Sequence, residues 1–225
     1  MLKPEYYFDL DKFKHADIFT GLDYVWDVLK RIEWYLRDNL KPGLEGEIMD
    51  GALVGEDVYI GKGTVVEPGA MIKGPTIIGD DCEIRHGAYI RGGVIVGDGV
   101  VIGNSTELKV SLLFDEVEVP HYNYVGDSVM GWKSHLGAGA IISNYKLTGQ
   151  PISVNIEGEK YENGLVKFGA IIGDKTQIGC NAVLNPGSML GRNCILYNNV
   201  SWRGNLPSEY IVKLRQEQEL VEKKK

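Results

Sequence analysis

Three cations stand eighteen residues apart in this sequence: Lys73, Arg91 and Lys109. Twelve residues after Lys109 comes His121, inside Pro120-His121-Tyr122-Asn123-Tyr124-Val125-Gly126-Asp127. A guanidinium beside an ammonium makes a phosphate clamp, because both donate charge-assisted hydrogen bonds and the guanidinium does so through a planar fork. A neutral imidazole near such cations is suited to take a proton from a bound substrate, since its ordinary pKa lies close to physiological pH. The chemistry indicated is general-base work on a small anion. His15 and His86 are isolated and read as structural.

The elements that must hold these residues follow a period of six. Aliphatic or aromatic residues recur without a break from Val54 through Ile60, Val66 and Ile72 to Phe114. A small or aliphatic residue stands two before each, as at Ala52, Thr64 and Cys82. The register resumes at Met130, Leu136 and Ile142, and again from Ile172 to Leu196. Six is a multiple of the strand period and not of the helical one. Each hexad is then one short strand and a turn, able to bury its aliphatic residue only by stacking on its neighbours. The fold expected is all-β, a left-handed parallel β-helix of hexapeptide repeats over residues 47–204. The pattern resembles that of hexapeptide-repeat proteins, whose prism-shaped coils hold three hexads, which implies that residues eighteen apart stack at about 4.8 Å. Lys73, Arg91 and Lys109 would then repel one another unless an anion or a carboxylate lies between them.

The flanks read differently. In residues 1–46, Leu22, Val25, Trp26, Leu29, Ile32 and Leu36 fall at helical spacing, and Asn39 with Pro42-Gly43 ends that helix. Its apolar stripe is expected to pack on the end of the β-helix or on a neighbouring subunit. Residues 205–225 read as a C-terminal helix, with Glu219 and Lys223 one turn apart. Two interruptions, Glu116–Asn123 and Asn144–Val166, are expected to form loops near the chemistry.

Composition narrows the class. The 225 residues include 29 glycines and only 8 prolines, which points to many tight turns. A net charge of −7 argues against a nucleic-acid partner. No apolar run is long enough to span a membrane. Cys82, Cys180 and Cys194 form neither a disulfide framework nor a Cys-x-x-Cys metal site, so a reducing cytoplasm and no metal are expected.

The stretches Gly103-Asn104-Ser105-Thr106-Glu107-Leu108-Lys109, His121 to Asp127, Leu136-Gly137-Ala138-Gly139-Ala140 and Asn144-Tyr145 resemble the acetyltransferase domain of bifunctional N-acetylglucosamine-1-phosphate uridyltransferases. The likeness covers roughly residues 50–203. It implies transfer of an acetyl group from acetyl-CoA to the amine of an amino-sugar 1-phosphate, with His121 as the base. It implies that Arg91 and Lys109 bind phosphate and sugar, that Tyr124, Asn144, Tyr145 and Lys167 belong to the sugar site, and that Ala138, Cys180 and Asn198 line the coenzyme site. It also implies a homotrimer with sites between subunits. The sequence departs from that family at His135, where asparagine is usual, at Cys180, where serine is common, and in the longer segment 144–166. The family's N-terminal nucleotidyltransferase domain has no counterpart in residues 1–50. A non-catalytic trimeric partner of a separate nucleotidyltransferase is therefore a second expectation. A metal hydratase sharing this fold would need a close His-x4-His pair, which His86, His121 and His135 do not form.

Overall fold

Each hexad forms a strand of two or three residues, and strands of successive coils pair in parallel. The result, in a computed structural model that describes residues 1–223, is a left-handed β-solenoid of about nine coils. Three sheet faces enclose one core. The first runs from Gly43–Leu44 through Thr76–Ile78 and Val94–Val96 to Asn205–Leu206; the second from Leu53–Val54 to Ser201–Trp202; the third from Glu47–Ile48 to Ile211–Val212. Inside, the repeated aliphatic residues are fully enclosed, as at Ile60, Ile78, Ile84, Ile90, Ile102 and Leu108. Thr64, Thr106 and Thr176 sit at corners and donate to the carbonyls of Gly79, Val119 and Gly191. None of the helices is long and apolar enough to cross a membrane, among the described residues.

The coil length changes in the middle of the stack. Val94 pairs with Ser111 and Ser111 with Ser128, which makes these coils seventeen residues rather than eighteen. Leu113 therefore takes the inward column, and Phe114, the last member of the six-residue count, sits one residue further on. There it stacks on Phe8 and Phe13 at ring distances of 4.8 and 4.3 Å. The shortened coil also corrects the first interruption. Glu118–His121 is a strand paired on both sides, so Glu116–Asn123 is a regular coil and not a loop.

Residues 1–42 lie along the first face, not on the solenoid end. Met1 reaches Asn205, Tyr7 O accepts from Asp174 N, and the helix Ile32–Asn39 lies against Val94–Val96. This cover explains a second apolar column: Ile77, Ile95, Leu112, Val129, Ile171 and Met189 point outward yet are buried. A parallel sheet covered on both sides reads as a continuous apolar run. The single helix expected over Leu22–Leu36 divides into a 3-10 turn, Val25–Lys30, and the α-helix Ile32–Asn39. Arg31 lies between them, and its guanidinium reaches back to Ile18 O and Thr20 O at 3.0 and 2.7 Å. The stripe itself is buried throughout, as its spacing requires. The solenoid begins at Gly43, ahead of the expected residue 47.

At the other end, the expected C-terminal helix is absent from the described part. Asn205–Leu206 and Ile211–Val212 continue the coils, and residues 213–223 carry no helix. Residues 224–225 lie outside the described residues. A short isolated helix with no buried face is marginal in water, and Leu214, Leu220 and Val221 are all exposed. The second interruption holds a hairpin, Ser153–Ile156 with Glu159–Glu162, turned through Glu157 and Gly158 at φ 54° and 86°. Ile152, Val154 and Ile156 are buried, and Tyr161 packs on Tyr24 and Trp26 at 5.8 and 5.9 Å.

Phe114→Ala should remove the anchor of the N-terminal cover and cost about 3–5 kcal/mol. Urea unfolding monitors the loss, and amide exchange should rise first in residues 1–42.

Candidate functional site

Strand register places the predicted residues along the two edges of the second face. At one corner, Asn104 pairs with His121, and the same register continues to Ala138, Cys180 and Asn198 above and His86 below. Backbone and side-chain bonds fix the stack: Asn104 Nδ2 to His86 O, Gly139 N to His121 O, Asn181 N to Ala138 O, and Cys180 N to Asn198 Oδ1. Four residues assigned to base and coenzyme roles thus share one line parallel to the solenoid axis. Beside it on the third face is a cleft of about 520 Å3, lined by His135, Gly137, Gln177, Cys180, Tyr197 and Asn198.

The His121 imidazole is exposed at this corner. Its backbone N–H donates to Asn123 Oδ1 at 3.1 Å, and the buried Asn123 amide donates onward to Gly137 O and Ala140 O. Tyr122, between them, takes φ 52°. This turn aims a histidine outward from a rigid strand end, and Asn123 is the residue that locks it. The other histidines are satisfied locally: His15 Nδ1 with Tyr35 OH, His86 Nδ1 with Pro68 O, and His135 Nδ1 with Glu118 Oε2.

The opposite edge carries the charges. Lys73, Arg91 and Lys109 are stacked as the eighteen-residue spacing requires. Each is engaged from a later coil: Lys73 with Tyr89 OH at 2.8 Å, Arg91 with Glu107 at 2.8 Å, and Lys109 with Asp127 at 3.0 Å. A phenol thus follows Lys73, a carboxylate stands between Arg91 and Lys109, and a second carboxylate caps the column beyond Lys109. Asp127, nearly buried and at φ 49°, also accepts from Asn144 Nδ2 at 2.5 Å, and Asn144 reaches Tyr124 OH at 3.2 Å. Burial pushes the Tyr124 phenol above its ordinary pKa, so it stays a hydroxyl at neutral pH. A Cβ at Gly126 would come within 2.7 Å of both Asn144 Nδ2 and Tyr124 OH, so a larger residue there would push these two side chains aside.

Tyr145 and Lys167 form a bridge at the base of the hairpin insertion, with both side chains exposed. Among the described residues, no hydrogen bond joins His121 to the Lys109–Asp127–Asn144–Tyr124 cluster. The face between them is crossed by the strand Tyr124–Met130. Asp127, Glu107 and Asn123 were not singled out from sequence. An acid stands sixteen residues after Arg91 and eighteen after Lys109, but the count does not say which side chain each acid meets. No group of three His, Cys, Asp or Glu side chains is arranged to hold a metal among the described residues.

Residues 72–166 match the family described as the GMPPB C-terminal domain, and residues 169–201 match the bacterial transferase hexapeptide family. An uncharacterized acetyltransferase of Escherichia coli, YaiX, is 37% identical over 177 residues, which are 77% of this chain and 76% of that protein. The chain belongs to the hexapeptide-repeat acyltransferases. Within that family, the bifunctional protein GlmU of Methanococcus vannielii is 33% identical over 174 residues, covering 77% of this chain and 42% of that protein. The chain thus spans less than half the length of that relative. Among solved acyltransferases of this type, the acetyltransferase domain of PglB from Neisseria gonorrhoeae, in complex with acetyl coenzyme A, is similar over 84% of this chain and 64% of that one, at 16% identity and a TM-score of 0.35.

Asp127→Ala leaves the largely buried Lys109 ammonium unpaired and should cost about 3 kcal/mol of stability. Adding Lys109→Met should recover part of it, giving a coupling of at least about 1 kcal/mol in a double-mutant cycle. Additive effects would dissociate the two side chains.

Proposed function

We propose that this acyltransferase moves an acetyl group from acetyl-CoA to the amine of an amino-sugar 1-phosphate, such as glucosamine 1-phosphate, using His121 as general base. The reading rests on one observation above the others: His121, Ala138, Cys180 and Asn198 line one corner beside an open cleft. A coenzyme laid along that line would bring its thioester to the imidazole. The sugar would occupy the second face, with its phosphate toward Arg91 and Lys109 and its hydroxyls toward Tyr124, Asn144, Tyr145 and Lys167.

In the reaction, neutral His121 accepts a proton from the sugar amine as its nitrogen attacks the thioester carbonyl. The tetrahedral adduct collapses by breaking the carbon–sulfur bond. The amide remains on the sugar, and the imidazolium returns its proton to the departing thiolate. Because Arg91 and Lys109 are already paired with Glu107 and Asp127, the site offers both charges at short range. A zwitterionic substrate with a phosphate and an ammonium suits such a site better than a simple anion does. The imidazole stands at an exposed corner beside Tyr122, which is 62% exposed, and the apolar Ile141 and Ile195 are exposed on later coils of the adjoining faces. A neighbouring copy in a homotrimer would cover these residues and close the site.

Thiol release from acetyl-CoA, measured against a panel of amino-sugar 1-phosphates, tests the reading. His121→Ala should lower turnover by about 10²–10⁴-fold while the assembly stays folded. Unchanged turnover would exclude His121 as base. Silence of the unaltered protein across the panel would overturn the substrate class.

A further inference from the structure

The first and third faces meet at a corner where successive coils turn through left-handed residues, Glu116, Lys133 and Lys175, at φ 56°, 55° and 58°. Lys133 N donates to Asp115 O and Lys175 N to Trp132 O, so the two lysines occupy adjacent rungs about 4.8 Å apart. Trp132 gathers three ammonium groups around its ring: Lys133 at 4.7 Å from the centroid, Lys175 at 5.0 Å and Lys12 at 5.2 Å. The aromatic face attracts each of them. Yet three like charges about one point all lie within roughly one screening length of each other. Glu116 meets Lys133 at 3.2 Å and Trp132 Nε1 at 3.0 Å, and Asp115 and Glu116 both lie near enough to feel the Lys12 charge, while neither Lys12 nor Lys175 forms an ion pair among the described residues.

Next to this cluster is a cleft of about 490 Å3 whose walls include Lys133, Lys175, His135 and Gln177. Its second acid, Glu118, is taken up by His135 at 2.9 Å. Ser134 also lines it, completely buried, with a hydroxyl that has no hydrogen-bond partner. Thr64, Thr106 and Thr176 hold the same place in their hexads, and each of those hydroxyls donates to a carbonyl. Three cations crowded at one spot of a chain with net charge −7, only Lys133 of them ion-paired, make a local trap for an anion.

We propose that this corner is a binding site for a small phosphate-bearing anion of about the size of diphosphate, separate from the Lys109 cluster. Lys133 and Lys175 supply the main contacts, and Lys12 closes the site from the N-terminal cover. Because Lys12 and the other two lysines belong to different parts of the fold, the bound anion ties the cover to the solenoid and raises the melting temperature by mass action.

Calorimetric titration with sodium diphosphate at constant ionic strength, paired with thermal melts, tests this. The unaltered protein should bind diphosphate with at least one equivalent per chain and melt higher with the anion. Lys133→Asn/Lys175→Asn should weaken binding at least tenfold and abolish the melting shift; asparagine accepts the left-handed backbone, so the fold is kept. Lys175→Asn alone should give an intermediate loss, and Lys109→Met should bind like the unaltered protein. Absence of diphosphate binding, undiminished affinity in the double variant, or loss confined to Lys109→Met would each overturn the assignment.

Discussion

Parallel backbone pairing between coils is the constraint on which the rest of the molecule depends. Each short strand finds hydrogen-bond partners only in the coils above and below it, so the spacing of any side chain from its neighbour in the next coil is set by the ladder. A residue placed once in the repeat is placed again seventeen or eighteen residues later on the same line. That turns a one-dimensional count into a three-dimensional array. His121, Ala138, Cys180 and Asn198 come to share a corner through this register, with no direct contact needed between their side chains.

The same ladder would drive like charges together, and the protein answers with carboxylates and aromatic rings. On the second face, Tyr89 engages Lys73, Glu107 stands between Arg91 and Lys109, and Asp127 neutralises Lys109 from the next coil. Asp127 does more than neutralise Lys109, because it also holds Asn144, which in turn reaches Tyr124. One carboxylate thereby orders three residues from three coils. At the Trp132 corner the answer is incomplete, since the indole ring takes the place of further acids.

Additions to the repeat support its outer surfaces. The N-terminal cover buries the outer side of the first face from Ile77 to Met189, and the hairpin in the insertion packs its Tyr161 on Tyr24 and Trp26 of that cover. Asn144 and Lys167 stand at the two ends of the insertion, so the hairpin's seat governs the approach of both to the second face. That aromatic group joins the cover to the insertion whose ends carry Asn144 and Lys167.

Taken alone, the sequence determined the solenoid, its three-hexad coils and the stacking of Lys73, Arg91 and Lys109, because a strict period survives in one dimension. It also located the apolar stripe from Leu22 to Leu36 and the histidine in its Pro-His-Tyr turn. Tertiary structure decided what depends on non-local partners. It shifted Phe114 from the solenoid's inward column to the buried seam under the N-terminal cover, since one deleted residue per coil changes register without changing composition. It divided the expected helix at Arg31, whose guanidinium bonds carbonyls distant in sequence. It withheld a helix from residues 213–223, where no buried surface supports one. It brought Asp127 to Lys109 and Asn144, a meeting that spacing alone could not show, because side-chain reach across a corner is fixed only once the coils have packed.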